Sequence, residues 1–220
     1  MTKLRRALLF DMDGVVVHNM PAHTEAWRLF LRKRGIEIET RDFLANTMGM
    51  PTRDVLAYYF KRRVSRKDEK LLDETKEALY RRIYLPKRRA APGLRALLSK
   101  AHAAGLRLGL GTGSKDENVR FILDGLNIRH YFETVVGAGD VKKGKPNPET
   151  FLTLAERLKV RAKDCVVFED SLLGEEAVRR AGMTLVAVTT SHKAHEFKTA
   201  ALAVRDFRGL SLTRISSLLS

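Results

Sequence analysis

The chain has almost no sulfur chemistry to offer. Only one of its 220 residues is a cysteine, Cys165, so an intramolecular disulfide framework is excluded. Its setting in the apolar run CVVF reads as a buried, inert thiol. Long hydrophobic runs are missing too, since no stretch reaches the roughly 18 apolar residues that a membrane-spanning helix needs. The cationic start MTKLRR is followed by too short an apolar core for a secretory signal peptide, and no small-residue cleavage site follows. Internal repeats and low-complexity tracts are absent. With 44% hydrophobic residues, what remains is a globular protein with an ordinary core, expected to be soluble and cytoplasmic.

Negative charge is in short supply: 26 Asp and Glu face 41 Lys and Arg, a formal net charge of +15. Much of the excess lies in KRRVSRK (61–67) and RRIYLPKRR (81–89). Such runs serve as solvated helix faces or as attractors of anionic substrates. Nucleic-acid binding is a further use, but no base-stacking pattern of aromatic residues and no known nucleic-acid motif accompanies them. Neither a nucleic acid nor a membrane is expected as partner, and the chain is expected to work as a monomer.

Short apolar, β-branched runs recur at 6–10, 106–112, 134–137, 165–168 and 184–188. Helical patterns at 115–126, 148–158 and 172–181 separate the last four, and another at 94–104 has Pro92 near its start and Gly105 past its end. Strands alternating with helices predict a parallel sheet covered on both faces. The interval after the first strand breaks the alternation, with helical patterns at 22–34, 40–45, 52–61 and 66–84 and no convincing strand. In the first of these, Ala22, Ala26, Leu29, Phe30 and Lys33 form a partly apolar stripe. The expected architecture is therefore an α/β, Rossmann-like three-layer parallel sheet core with an inserted small α-helical cap domain. The core comprises 1–18 and 88–220, and the cap 19–87.

Ligands of open parallel sheets bind beyond the carboxyl ends of the strands, and the unusual polar residues fall there. Asp11 and Asp13 follow the first strand; Thr112, Gly113, Ser114 and Lys115 follow the second. KKGKPNPE (142–149), containing Lys145, comes shortly after the third, and Glu169, Asp170 and Ser171 follow the fourth. Each group alone has a plain explanation. DMDG lacks the fifth- and sixth-position residues of a calcium loop, having Val15 and Val16 there. GLGTGSK lacks the Walker spacing, leaving a turn whose backbone N–H groups open a helix and can hold an anion. GKPNPE is a proline-rich turn, and EDS a routine helix cap. Together, at successive strand ends, they outline one site.

Elementary chemistry assigns work to such a set. Four carboxyl groups near one another, Asp11, Asp13, Glu169 and Asp170, require a cation, and all-oxygen ligands suit Mg²⁺. Residues two apart in extended chain face the same side, so Asp11 and Asp13 can address one substrate. One carboxylate can attack while its neighbour moves the proton. Thr112 can hydrogen-bond a phosphoryl group, and Lys145 can offset the charge of both nucleophile and phosphoryl oxygens.

The segments FDMDGVVV, GLGTGSK, GKPNPETF and VVFEDSLLGEEA resemble, in order and spacing, the four motifs of the haloacid dehalogenase superfamily. The resemblance covers essentially the whole chain. It implies Asp11 as a nucleophile that forms an aspartyl-phosphate, Asp13 as general acid and base, and Thr112 and Lys145 as phosphoryl binders. It further implies Mg²⁺ held by Asp11, the backbone carbonyl of Asp13 and Asp170, with Glu169 ligating directly or through water. Aspartate at position 13 favours phosphoryl transfer over dehalogenation, because its carboxyl can protonate an alkoxide. The insert resembles the helical cap of the subgroup containing β-phosphoglucomutase and small-metabolite phosphatases, through MPAHTEAW (20–27) and the MGMPTRDVL loop (48–56). By that comparison His23, Trp27, Arg53 and Lys76 are candidate substrate contacts. His18 and Asn19 depart from the family's usual Asp and Ser or Thr, at the expected hinge. The implied activity is Mg²⁺-dependent hydrolysis of a small phosphorylated metabolite, with a β-phosphoglucomutase-type mutase as the alternative.

Overall fold

The structure, a computed structural model, describes residues 6–47, 50 and 52–219. It forms two compact units, one made of the chain up to His18 and from Arg89 onward, the other of Asn19–Arg88. Strand β1 (Ala7–Phe10) is followed by the helices of the second unit, α1 (Met20–Arg32), α2 (Thr40–Thr47), α3 (Thr52–Phe60) and α4 (Arg66–Tyr84). The first unit then resumes with α5 (Leu94–Ala103), β2 (Arg107–Gly111), α6 (Asp116–Leu123), β3 (Thr134–Val136) and α7 (Glu149–Arg157). It closes with β4 (Cys165–Glu169), α8 (Leu172–Ala181), β5 (Thr184–Val188), β6 (Leu202–Val204) and α9 (Leu212–Ser216).

The six strands form one parallel sheet in the order β3-β2-β1-β4-β5-β6. Burial on both faces explains why β1 and the first four residues of β4 read as unbroken apolar runs. Alternate residues still sort to opposite sides. Ala7, Leu9, Cys165, Val167, Leu185 and Ala187 pack with Phe151 and Leu154 of α7 and Val178 of α8. On the other side Phe10 stacks on Phe168 at 4.7 Å, and Phe207 meets the Phe168 ring edge-on at 5.4 Å. Each fully buried Leu or Phe contributes on the order of 1.5–3 kcal/mol. The chain runs from β1 to β2 on one side and reaches β4 on the other, so the order reverses beside β1. The carboxyl ends of β1 and β4 therefore flank the crevice where such sheets take ligands.

β6 and α9 have no counterpart among the elements expected from sequence. β6 is three residues long, none of them buried, at the edge of the sheet, and carries no apolar run; α9 has only five residues.

The helical unit has its own core, in which Trp27, Phe30 and Leu31 of α1 pack with Phe43, Val55 and Leu56. The buried face of α1 is Ala22, Thr24, Ala26, Trp27, Phe30 and Leu31. Lys33, expected in that stripe, is instead exposed, because the helix stops at Arg32 and residue 33 lies past its end. Asn19 precedes α1 but does not cap it with its side chain; Nδ2 donates to the buried Tyr80 hydroxyl at 2.6 Å. Within the loop compared above with a specificity loop, residues 48, 49 and 51 lie outside the described residues.

Candidate active site

Asp11 is the first residue past β1, and its N–H still donates to Phe168 O of β4 at 2.9 Å. The chain then turns: Val16 N and Val17 N donate to Met12 O, and Gly14 N to Val17 O. Asp11 thus continues the line of β1, and Asp13 lies in the turn, where it bridges to Val17. Asp13 is half-buried, and its Oδ2 accepts from Ser114 Oγ at 2.6 Å.

Lys145 ties two strand ends together. Its Nζ donates to Asp11 Oδ1 at 2.6 Å and to Glu169 Oε2 at 2.7 Å. The other oxygen of Glu169, Oε1, accepts from Ser171 Oγ at 2.6 Å and Ser171 N at 3.1 Å. Ser171 also caps α8 by accepting from Gly174 N. A Cβ on Gly174 would fall 2.0 Å from Glu169 Cδ, so only glycine leaves room for that carboxylate. Asp170 follows, nearly fully buried, with Oδ2 in hydrogen-bond reach of Thr190 Oγ1 at 3.1 Å and accepting from Ser191 Oγ.

Carboxylate oxygens of Asp11, Glu169 and Asp170 lie within 4.8 Å of one another, and all three residues are buried. The electrostatics follow from that crowding. Burial pushes the Asp11 carboxyl well above its ordinary range; Lys145 opposes this, while Glu169, Asp170 and Asp13 add to it. Asp170 is raised to about 7, chiefly by burial and then by Glu169. Burial alone would depress Lys145, but Asp11 and Glu169 outweigh it and hold the ammonium above its usual value. Three buried carboxylates against one ammonium leave an excess that a hard divalent cation would match, and the donors are all oxygen. The residues present thus fit a cation.

Thr112, buried at the end of β2, keeps its backbone in the sheet through a bond to Val136 O (2.9 Å), and its Oγ1 accepts from Ser114 N at 3.1 Å. That leaves the hydroxyl proton of Thr112 to donate. Gly113 and Lys115 are exposed on the turn into α6. Ser114, expected as a ligand contact, donates its hydroxyl to Asp13.

In the helical unit, His23 stacks on Tyr80 at 3.7 Å, and its Nδ1 lies 3.5 Å from Lys76 Nζ. Lys76 is buried, ion-paired with Glu77, and 5.1 Å above the Trp27 ring. Trp27 itself is 7% exposed and belongs to the unit's core. Arg53 is not part of this group: it is exposed, with Nε 3.3 Å from Asp54. Sequence reasoning missed Thr190 and Ser191, although their signal is of the same kind, polar residues just past the end of β5.

A profile of the haloacid dehalogenase-like hydrolases matches residues 5–182. Over 181 residues the chain is 34% identical to the fructose-1-phosphate phosphatase of Escherichia coli, covering 82% of this chain and 95% of that protein. It is 33% identical over 180 residues to the phosphorylated carbohydrates phosphatase of Thermotoga maritima, covering 80% and 82%. The crystal structure of a β-phosphoglucomutase from Clostridium difficile matches with a TM-score of 0.85 and 28% identity, over 98% of this chain and 97% of that one. Profile, relatives and parallel sheet agree with the motif order read from the sequence: the chain belongs to the haloacid dehalogenase-like hydrolases.

Proposed function

We propose that the chain is a Mg²⁺-dependent phosphomonoesterase acting on a small phosphorylated metabolite, a sugar phosphate, through an aspartyl-phosphate on Asp11. The observation that carries this is the convergence of Asp11, Lys145, Glu169 and Asp170 at the carboxyl ends of β1 and β4. Lys145 holds Asp11 Oδ1, which leaves Oδ2 to attack phosphorus. As the new bond forms, the ester oxygen departs and Asp13 supplies its proton. Asp13 then takes a proton from water, which attacks phosphorus, releases inorganic phosphate and restores the Asp11 carboxylate. Ser114 steadies Asp13 through both steps. Thr112 donates its hydroxyl to a phosphoryl oxygen, and Lys145 offsets charge as it shifts between phosphoryl group and nucleophile. Asp11, the Asp13 carbonyl and Asp170 would hold Mg²⁺, with Glu169 ligating directly or through water. The ion, when bound, neutralises the acidic cluster and polarises the phosphoryl group.

The helical unit is assigned as a cap that contributes to substrate recognition, the core comprising 1–18 and 88–220 and the cap 19–87. Within it His23 and Lys76 are the favoured contacts. Arg53 is retained as a cation suited to a distal phosphate or carboxylate, and Trp27 acts through packing. The enzyme is taken to be a cytoplasmic monomer, which size-exclusion chromatography checks for the oligomeric part.

The deciding assay is release of inorganic phosphate from a panel of phosphorylated metabolites in Mg²⁺, beginning with fructose 1-phosphate. Turnover of at least one sugar phosphate is expected. No release from any member would overturn the assignment. The similarity to β-phosphoglucomutase keeps a mutase as a second reading. β-Glucose 1-phosphate supplied with a trace of bisphosphate primer separates the two: a mutase yields glucose 6-phosphate, a phosphatase free phosphate.

A further inference from the structure

The segment after β5 takes no part in the motifs discussed so far, yet it reaches into the acidic cluster. Thr189 N donates to Val204 O at 2.8 Å and Thr190 N to Val188 O at 2.9 Å, so the turn is anchored to β6 and to the end of β5. From it, the Thr190 hydroxyl faces two acceptors, Gly14 O at 2.6 Å and Asp170 Oδ2 at 3.1 Å. The neighbouring Ser191 hydroxyl donates to the same Oδ2. Gly14 in turn leaves no space on its other side: a Cβ there would lie 1.9 Å from Asp170 Oδ2. The carboxylate of Asp170 is thus gripped through one oxygen, between two hydroxyls and the α-carbon of Gly14. Its other oxygen receives no hydrogen bond from a described residue.

We infer that Thr190 and Ser191 are positioning residues that fix Asp170 as a cation ligand and couple it, through the Gly14 carbonyl, to the loop carrying Asp11 and Asp13. This rests on the metal site proposed above. Two physical reasons support it. A carboxylate must be correctly turned to ligate, and hydroxyl donors on an anchored turn remove its rotamer freedom. Groups that orient a ligating carboxylate typically change metal affinity about 10–100-fold when removed. The same hydroxyls would serve a purely structural purpose if their loss lowered stability alone.

The test is Mn²⁺ and Mg²⁺ binding to the full chain by isothermal titration calorimetry, without substrate, alongside thermal melts of the metal-free protein. The variants are Ser191→Ala, Thr190→Val, the double variant and Thr190→Ser. Ser191→Ala and Thr190→Val are each expected to weaken Mn²⁺ binding by about tenfold and the double variant by up to about a hundredfold. Thr190→Ser, which keeps the hydroxyl, should bind as wild type. Unchanged affinity in Ser191→Ala and Thr190→Val, with or without a drop in melting temperature, overturns the inference even if the double variant fails to fold. A wild-type protein that binds neither cation overturns the metal site itself, and this inference with it.

Discussion

The α-carbon of Gly14 and the carboxylate of Asp170 lie so close that a Cβ on residue 14 would sit 1.9 Å from Oδ2. The glycine also has φ +84°, a conformation side chains disfavour. Gly14→Ala must therefore displace the Asp170 carboxylate. Displacing a site residue by about 1 Å can cost about a hundredfold in rate, and that loss of kcat is expected here. A variant with wild-type kcat would show that the contact does not set the site's geometry.

Asp11→Asn replaces the proposed nucleophile with an isostere that cannot form the phosphoenzyme. Turnover is expected to fall by at least about a thousandfold. Because burial already disfavours charge at Asp11, the variant is expected to fold and to melt no lower than the parent in the absence of metal. Steady-state kinetics and a thermal melt check both halves; near-normal turnover would sink the nucleophile assignment.

Ser114→Ala removes the hydroxyl that holds Asp13 Oδ2 at 2.6 Å. Proton transfer should suffer while ground-state binding does not, so kcat is expected to drop about tenfold with KM nearly unchanged. If KM rises instead and kcat holds, Ser114 serves substrate binding directly.

Removing divalent cations with a chelator should abolish phosphate release, and added Mg²⁺ should restore it. Activity that survives exhaustive chelation would leave the acidic cluster without a metal role.

Cys165 tests the packing of the sheet. Its thiol donates to Arg161 O at 3.3 Å, and burial pushes its pKa up to about 12. A raised pKa keeps the thiol protonated at neutral pH, and the thiolate is the reactive species. Iodoacetamide at pH 7.5 should leave the native protein unlabelled and label it after unfolding in guanidinium; rapid native labelling would contradict the buried placement.

Much of the architecture was legible because its causes are local. β1 through β5 announce themselves as apolar runs, and α4, α5 and α8 as helical spacing, α5 with punctuation at both ends, since backbone periodicity needs no distant partner. β6 was not legible. With three residues, none buried, it owes its strand form to pairing with β5, which no local pattern reports. Helical spacing likewise could not report which side chains Trp27 meets, because an aromatic on one face of α1 reads the same whatever its neighbours; its place beside Phe30 and Phe43 in the core of the helical unit is visible only in the fold.

The site divides along the same line. The chemical inventory is already written in the order of residues: carboxylates, a hydroxyl and a lysine at the ends of β1, β2 and β4 and after β3, in an order that identifies the family. Which of these groups hold one another is settled by the fold. Asp11 and Lys145 stand 134 positions apart and meet at 2.6 Å, Ser114 turns to Asp13, and Asp170 is gripped by Thr190 and Ser191. The difference is one of range. Strand and helix patterns arise from neighbours a few residues away, whereas a hydrogen bond needs its partner within about 3 Å in space, and parallel pairing across β3, β2, β1, β4 and β5 is what brings such distant residues to the carboxyl end of the sheet.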